Sequence, residues 1–229
     1  MKDALITAAR QVGRPVKRLL QAAINNRIAA YHMPAAMPGD LLLTFDDGPH
    51  PDYTPRLLDL LDDYGARAVF FMIGERAEIR LDLVQACHDR GHVVANHTYT
   101  HLNARVGGRY SRTEVAEDIS RCTAVLERAT GQKTQLFRPP RGELNRKTWG
   151  AAQDTGHRVM IWSAEGGEWG RRQHLSAEAI SDHVTASVQK RDILLLHDDN
   201  EKTLRVTADL LRRLQRERYD LVSAVASLR

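Results

Sequence analysis

The sequence of 229 residues contains two cysteines, no apolar run of membrane-spanning length and no large excess of one charge. A helix needs about 20 consecutive apolar residues to cross a bilayer, so the sequence predicts no transmembrane helix. Cys87 and Cys122 form no CxxC pair, and both fall in segments with helical spacing. We therefore expect reduced, half-buried thiols and a cytoplasmic setting rather than a disulfide framework.

Charge is nearly balanced, with 33 Lys and Arg against 29 Asp and Glu, which gives a formal net charge of +4. Hydrophobic residues make up 42% of the chain and charged residues 27%, as is typical of one soluble globular domain with or without an appendage. Acidic residues are mixed among the basic ones, so no nucleic-acid partner is predicted. The mild positive charge suits anionic substrates or surfaces.

Residues 1–38 differ from the remainder because apolar residues recur there at helical spacing among basic residues. This pattern predicts a basic amphipathic helix, and Pro34 and Pro38 mark the linker that follows it. The helix could pack on the outside of the main domain, lie on a membrane surface or bind a partner. Basic residues interrupt residues 1–20, so we expect no secretory signal. The expected location is cytoplasmic, with peripheral contact at the inner membrane face through residues 1–30.

From residue 39 onward, apolar segments of strand length alternate with amphipathic helical segments. The predicted strands are 41–45, 66–73, 92–96, 135–137, 158–162, 193–196 and 219–222. The predicted helices are 54–64, 76–90, 111–129, 144–154, 176–189 and 203–216, and the third begins with a capping-box pattern. Such alternation predicts parallel strands wrapped by helices. We expect a closed or nearly closed barrel rather than an open sheet.

Polar and charged side chains follow most of the predicted strands. Asp46 and Asp47 end the first strand, where Gly48 and Pro49 stop it. The other strand ends carry the sequences His97-Thr98-Tyr99-Thr100-His101, Arg138-Pro139-Pro140-Arg141-Gly142, Glu165-Gly166-Gly167-Glu168-Trp169 and His197-Asp198. Because the carboxyl ends of parallel strands share one face of a sheet, we expect these groups to surround one mouth.

His97 and His101 are four residues apart, so one helical turn would direct both imidazoles the same way. Two histidines and an aspartate are a common ligand set for a divalent metal, with other positions left for water and substrate. The pattern has plainer explanations too, since an Asp-Asp pair also suits a solvated turn and HxxxH also occurs on helix surfaces. A two-histidine, one-carboxylate iron oxygenase is a further alternative.

Four motifs together resemble those of the NodB-homology polysaccharide deacetylases, carbohydrate esterase family four. They are TFDDGP at 44–49, HTYTH at 97–101, RPPRG at 138–142 and LLLHD at 194–198, and the likeness runs from about residue 40 to the C-terminus. The resemblance implies an α/β fold, a distorted (β/α)7-type barrel over residues 39–229 with residues 1–38 as an N-terminal helical extension. It also implies hydrolysis of an N-acylated sugar.

The resemblance assigns a role to each matching position. Asp46 is similar to the general base, His197 to the general acid and Arg138 to the arginine that fixes the base. The implied metal ligands are Asp47, His97 and His101, for zinc, or for cobalt, manganese or nickel. The remaining implied site residues are Arg141 and Gly142 in substrate binding, Leu195 in the pocket for the acyl methyl, Trp169 in the groove wall and Glu168 as support for His197.

Two motifs depart from the family pattern. Arg141 stands where an aromatic residue is usual, and Glu165 and Glu168 replace both acids of Asp-x-x-Asp-Trp. Arg141, the pair Arg171-Arg172 and the basic N-terminus suggest a substrate with negative charge beside the sugar, such as a phosphate- or lipid-linked glycan precursor. The expected function is removal of an acyl group, acetyl before formyl, from an amino sugar. A non-catalytic glycan-binding relative is the alternative that the changed motif keeps open.

Overall fold

A computed structural model of the chain describes residues 29–102, 110–169 and 172–229. Most of the predicted N-terminal helix, and Arg171, lie outside the described residues. Within the described ranges, every helix is too short or too polar to cross a membrane. Cys87 and Cys122 are unpaired, as the sequence predicts, but fully buried rather than half-buried.

The sheet consists of seven parallel strands. They are β1 (Leu42–Gly48), β2 (Ala68–Met72), β3 (Val93–Asn96), β4 (Leu136–Phe137), β5 (Arg158–Val159), β6 (Ala164–Glu165) and β7 (Ile193–His197). Their order is β5-β4-β3-β2-β1-β7-β6. Strand β1, the apolar run that ends in the two aspartates, therefore lies in the interior of the sheet, between β2 and β7.

Side chains of β1 alternate between two buried environments, as in any strand. Leu43 and Phe45 belong to a large core cluster between the sheet and the helices. Leu42 faces the other way, into a smaller cluster enclosed by the sheet. Thr44 and Asp46 follow Leu42 on that inner face, so β1 delivers a carboxylate to the inside of the curled sheet.

Eight α-helices and one 3-10 helix, Pro140–Gly142, are described. The α-helices are α1 (Tyr53–Asp63), α2 (Gly74–Ile79), α3 (Leu81–Asp89), α4 (Arg112–Thr130), α5 (Arg146–Asp154), α6 (Ala177–Ser187), α7 (Glu201–Arg216) and α8 (Ser223–Ala226). Helix α7 buries Leu210, Leu211 and Leu214 and exposes Arg205 and Arg212, which is the pattern of a helix packed on a core.

The predicted capping box of α4 is confirmed. The Ser111 side chain accepts from the Glu114 N–H at 3.2 Å, and the Glu114 carboxylate accepts from the Ser111 N–H at 2.6 Å. Gly131 ends the helix in the left-handed conformation, with φ 67°, which glycine adopts without a Cβ penalty. The longest helix of the described residues is thus fixed at both ends by local sequence.

The two edge strands lie close together although they are at opposite ends of the strand order. Only residues 160–163 connect β5 to β6, and an extended chain advances at most about 3.6 Å per residue. The two edges are therefore separated by no more than roughly 18 Å. The predicted distorted barrel is confirmed in the form of a parallel sheet curled into a half-barrel, with helices on its outer face.

Residues 29–33, which fall within the predicted extension and linker, contact the chain after the edge strand β5 and the chain before β7. Ala30 forms an isolated bridge with Met160, and His32 forms one with Asp192, next to β7. Ala29, Tyr31 and Met33 are buried. This segment therefore packs into the domain core.

Several element predictions are wrong in detail. Residues 219–222 form no strand, and the seventh strand is β6 instead, which pairs with β7 through Ala164 and Glu165. The predicted helix 76–90 is divided at Arg80, whose φ of −130° and ψ of 55° interrupt it. The predicted strand 158–162 contains only two strand residues, because the chain leaves β4 there to cross to the other edge.

Candidate active site

The carboxyl end of β1 separates its two adjacent aspartates. Asp47 has a φ of 72°, and the pairing of β1 with β2 is irregular between Asp46 and Gly48, as at a β-bulge. Asp46 stays on the inner face and is 4% exposed, whereas Asp47 turns toward the loop after β3. The local backbone thereby gives two neighbouring carboxylates different partners.

Asp47, His97 and His101 converge on one point, as predicted. Oδ1 of Asp47 lies 3.4 Å from Nε2 of His97 and 3.2 Å from Nε2 of His101. The potential ligand atoms of the three side chains are all within 4.8 Å of one another. Such a set, with one face left open, suits a divalent ion that also binds water or substrate.

The predicted helical turn between the two histidines is wrong. Residues 97–102 form an irregular loop in which Thr98 and His101 have positive φ values of 66° and 50°. Side chains hold this loop: Asn96 accepts from the Thr98 N–H at 2.8 Å, and Asp118 of α4 accepts from the Tyr99 N–H at 2.9 Å. Contacts from a distant helix, rather than helical periodicity, direct both imidazoles to Asp47.

The chemistry of the three side chains fits a metal ion. Oδ1 of Asp47 is buried and forms no well-aligned hydrogen bond with any described residue. Nδ1 of His97 lies 2.7 Å from the Arg138 carbonyl oxygen, so its N–H donates there and Nε2 keeps a free lone pair for a ligand bond. Burial disfavours ionisation of Asp47, but the two nearby imidazoles outweigh burial and hold its pKa well below the usual range.

Arg138 fixes Asp46 inside the sheet. It is fully buried, and its Nη1 donates to Oδ1 of Asp46 at 2.6 Å and to Oγ1 of Thr44 at 2.8 Å. Nε and Nη2 donate to the carbonyl oxygens of Met160 and Ile161, and the guanidinium carbon lies 4.1 Å from the Phe71 ring centroid. Four of its five N–H donors are used, so this guanidinium has one orientation and holds the Asp46 carboxylate beside the metal-ligand cluster.

His197 lies beside Asp46, because the two residues are register partners across β1 and β7. Oε1 of Glu168 accepts from the His197 backbone N–H at 2.9 Å and lies 3.0 Å from its Nδ1. Burial opposes a charge on His197, but Glu168 and the carboxylates of Asp46 and Asp47 outweigh it and raise its pKa to about 9. This raised pKa favours the protonated imidazole at neutral pH. Because Nδ1 is directed to Glu168, the proton on Nε2 is the one that the imidazole could donate.

The longer Glu168 side chain fits because Gly166 leaves room for it. A Cβ on residue 166 would clash with the Glu168 carboxylate. Glu168 is 5% exposed, whereas the side chain of Glu165, the other altered acid, is 59% exposed and 3.9 Å from Arg172. Of the two substitutions, only Glu168 contacts the predicted acid.

Two of the predicted substrate-binding residues, Leu195 and Trp169, lie beside this cluster. Leu195 lies on the inner face of β7 next to Thr44 in register, and the exposed Trp169 ring is 6.2 Å from the His197 ring. Arg141 is exposed with φ 58°, and Gly142 contacts the Trp162 ring so closely that an added Cβ would be 2.5 Å away. Arg141 and Gly142 follow the buried Arg138 along the chain, after β4.

Sequence reasoning missed three polar residues at this centre. Thr44 supports Arg138, and its position two residues before Asp46 could have indicated the shared face. Arg76 donates from Nη1 to the Asp47 carbonyl oxygen at 2.6 Å, and no local pattern marks it. Asp198, to which the sequence assigns no role, is 1% exposed and packs against Gly48 in the Asp47 turn.

Comparisons with known proteins agree with the motif resemblance. The sequence profile described as "Polysaccharide deacetylase" matches residues 35–160. A peptidoglycan-N-acetylglucosamine deacetylase from Bacillus cereus is 35% identical over 194 residues, which cover 82% of this chain and 88% of that protein. A chitooligosaccharide deacetylase from Sinorhizobium fredii is 34% identical over 157 residues, which cover 68% and 70%.

A solved structure shares both the fold and substantial sequence with this chain. It is a family 4 carbohydrate esterase from Streptomyces lividans in complex with acetate, with a TM-score of 0.71 and 31% identity. The match covers 80% of this chain and 91% of that one. The fold therefore occurs in a protein whose structure was solved in complex with acetate.

Proposed function

The chain belongs to the polysaccharide deacetylase family, and on that premise we propose that it is a metal-dependent hydrolase that removes the N-acetyl group from an amino sugar of a glycan. The observation that carries this proposal is the convergence of Asp47, His97 and His101 beside Asp46, with His197 on the adjacent strand. This arrangement holds a candidate base, a candidate acid and a candidate metal site within one mouth.

Zinc, with cobalt, manganese or nickel as alternatives, would be held by Asp47, His97 and His101 and would supply Lewis acidity and a water of lowered pKa. Asp46 would accept the proton of the attacking water, since the hydrogen bond from Arg138 orients its carboxylate. His197 would donate a proton from Nε2 to the leaving amine nitrogen, while Glu168 holds Nδ1. Leu195 would face the acetyl methyl group.

The same site suggests that the substrate carries a negative charge close to the acetylated sugar. Arg76 is exposed and anchored beside Asp47 by one guanidinium nitrogen. Arg141 is exposed and forms no ion pair with any described residue. Two cations at the mouth favour an anionic glycan, such as a phosphate-linked precursor, by raising its local concentration. This substrate class agrees with the cytoplasmic location that we propose for the chain.

Release of acetate and formate from a panel of N-acylated sugars tests the proposal. The panel contains neutral oligosaccharides, peptidoglycan fragments and phosphate-linked sugars. Metal is first removed from the enzyme with a chelator, and zinc or cobalt is then added back. We expect acetate release that returns with metal, falls at least 100-fold in Asp46→Asn and is unchanged in the surface variant Asp209→Asn. The phosphate-linked substrate should react faster than the neutral one, with an advantage that added salt removes.

Each part of the proposal has its own contrary result. No release from any substrate, with one metal bound per chain, would favour a glycan-binding protein without turnover. Equal rates on charged and neutral sugars at every salt concentration would remove the anionic-substrate proposal and leave the hydrolase intact. Formate release without acetate release would identify a deformylase.

A further inference from the structure

Asp198 is a buried carboxylate that the proposed reaction does not use. Oδ2 accepts from Oγ1 of Thr54, at the start of α1, at 2.7 Å. Oδ1 has no hydrogen-bond partner among the described residues. Burial raises the pKa of Asp198 to about 7, against the lowering effect of the Thr54 hydrogen bond. Burying a carboxyl oxygen without a hydrogen-bond partner is energetically costly.

The contacts of Asp198 lie on both sides of the metal-ligand candidate Asp47. Its backbone N–H donates to the Asp46 carbonyl oxygen at 3.2 Å. Its carboxylate packs so closely on Gly48 that any Cβ at that position would clash with it. Asp198 therefore contacts the residue before Asp47 and the residue after it.

Thr54 extends this support further along the turn. Its Oγ1 donates to Asp198 and accepts from the His50 backbone N–H at 2.7 Å. One hydroxyl thus connects the end of β7, the turn after β1 and the first turn of α1. A methyl group in place of the hydroxyl would break both hydrogen bonds with little change of volume.

The turn needs such support because its backbone is strained at the ligand itself. Asp47 has a φ of 72°, a left-handed conformation that is unfavourable for a non-glycine residue. The regular pairing of β1 with β2 also shifts between Asp46 and Gly48. Contacts from Asp198, Thr54 and Arg76, rather than the ladder alone, hold the carboxylate of Asp47 toward the two histidines.

We propose that Asp198 and Thr54 form a positioning pair that fixes Asp47 in the geometry for metal binding. The proposal rests on the proposed metal dependence of this site. Asp198 is 1% exposed and Thr54 is fully buried, so neither residue contacts the substrate mouth. They act through the Asp47 turn, so their loss weakens metal binding before it affects substrate binding.

Thr54→Val and Thr54→Ser test the pair, with Thr207→Val as the matched control. Thr207 is also fully buried, and its hydroxyl has no hydrogen-bond partner among the described residues. We expect Thr54→Val to weaken metal affinity about 10- to 100-fold, as measured by chelator competition, a magnitude typical of residues that support metal ligands. The visible spectrum of the Co²⁺ form should change, and kcat at saturating metal should fall with KM nearly constant.

Rescue separates positioning from general destabilisation. Thr54→Ser keeps the hydroxyl and should retain metal affinity within about threefold of wild type, and Thr207→Val should leave it unchanged. Asp198→Asn keeps an oxygen acceptor for Thr54 and should also bind metal, whereas Asp198→Ala should not reach wild-type affinity. Wild-type affinity and an unchanged Co²⁺ spectrum in folded Thr54→Val, or in Asp198→Ala, would overturn the proposal. Absence of metal binding in wild type would instead overturn the proposed function.

Discussion

Two carboxylates at this site have different partners and different roles. Asp46 accepts a charged hydrogen bond from Arg138, which orients it, whereas Glu168 accepts from Nδ1 of His197 and favours its protonated form. Base and acid occupy register partners on adjacent strands, yet each has a separate counter-ion. This division lets one residue hold a negative charge beside another that holds a proton.

Removing the charge of Glu168 should narrow the range of pH in which the enzyme works. His197 must be protonated to act as the acid, and its raised pKa of about 9 keeps it so until the pH exceeds that value. In Glu168→Gln the pKa falls, so activity should decline at a pH lower by roughly one to two units on the alkaline side. Profiles of kcat against pH measure this shift.

The other glutamate of the motif supplies the control. The side chain of Glu165 is exposed, so Glu165→Gln should keep the wild-type alkaline limb. An identical limb in Glu168→Gln would show that His197 does not donate the proton. A uniform loss of activity at all pH values would indicate that Glu168 only maintains the structure.

At the scale of elements, the turn after β4 depends on a glycine. Gly142 and Gly131 both have positive φ, 63° and 67°, but a Cβ on Gly142 would meet the Trp162 ring, whereas one on Gly131 would meet nothing within 4 Å. Alanine at either position costs about 1 kcal/mol through its φ. Gly142→Ala should cost a further 1–3 kcal/mol of unfolding free energy through overpacking.

Urea denaturation of the two alanine variants measures this difference. Trp162 also lies 5.7 Å from the guanidinium of Arg138, so only Gly142→Ala should lower kcat. Equal destabilisation by both alanines, with full activity in each, would mean that the turn adjusts without moving Trp162.

The elements that sequence predicted well are those fixed by local pattern. The buried run before Asp46, the capping box at Ser111 and the parallel strand ends follow from apolar periodicity and side-chain caps. The loop that carries His97 and His101 did not, because its positive φ values depend on Asp118, which is distant in sequence. Of the two-residue strands, β4 was predicted, β5 was predicted too long and β6 was missed, since pairing with neighbouring strands, and not their own residues, defines their limits.

At the scale of the whole molecule, the candidate metal site connects parts of the fold that the chain builds separately. Asp47 ends β1, whereas His97 and His101 belong to the loop after β3, with β2 between the two strands. Buried clusters already hold these strands together. A bound ion would add a contact that exists only when the sheet is curled as in the native state, so its binding should stabilise the entire domain.

Thermal unfolding with and without metal measures this coupling. At a free zinc concentration of about 100 times Kd, binding to the native state alone adds roughly 2.7 kcal/mol, which raises Tm by roughly 5–10 °C for a chain of this size. Asp47→Asn should lose most of that increase, because it removes the anionic ligand. Asp82→Asn, which changes an exposed carboxylate paired with Arg80, should keep it. An equal increase in both variants would place the bound ion outside the cluster of Asp47, His97 and His101.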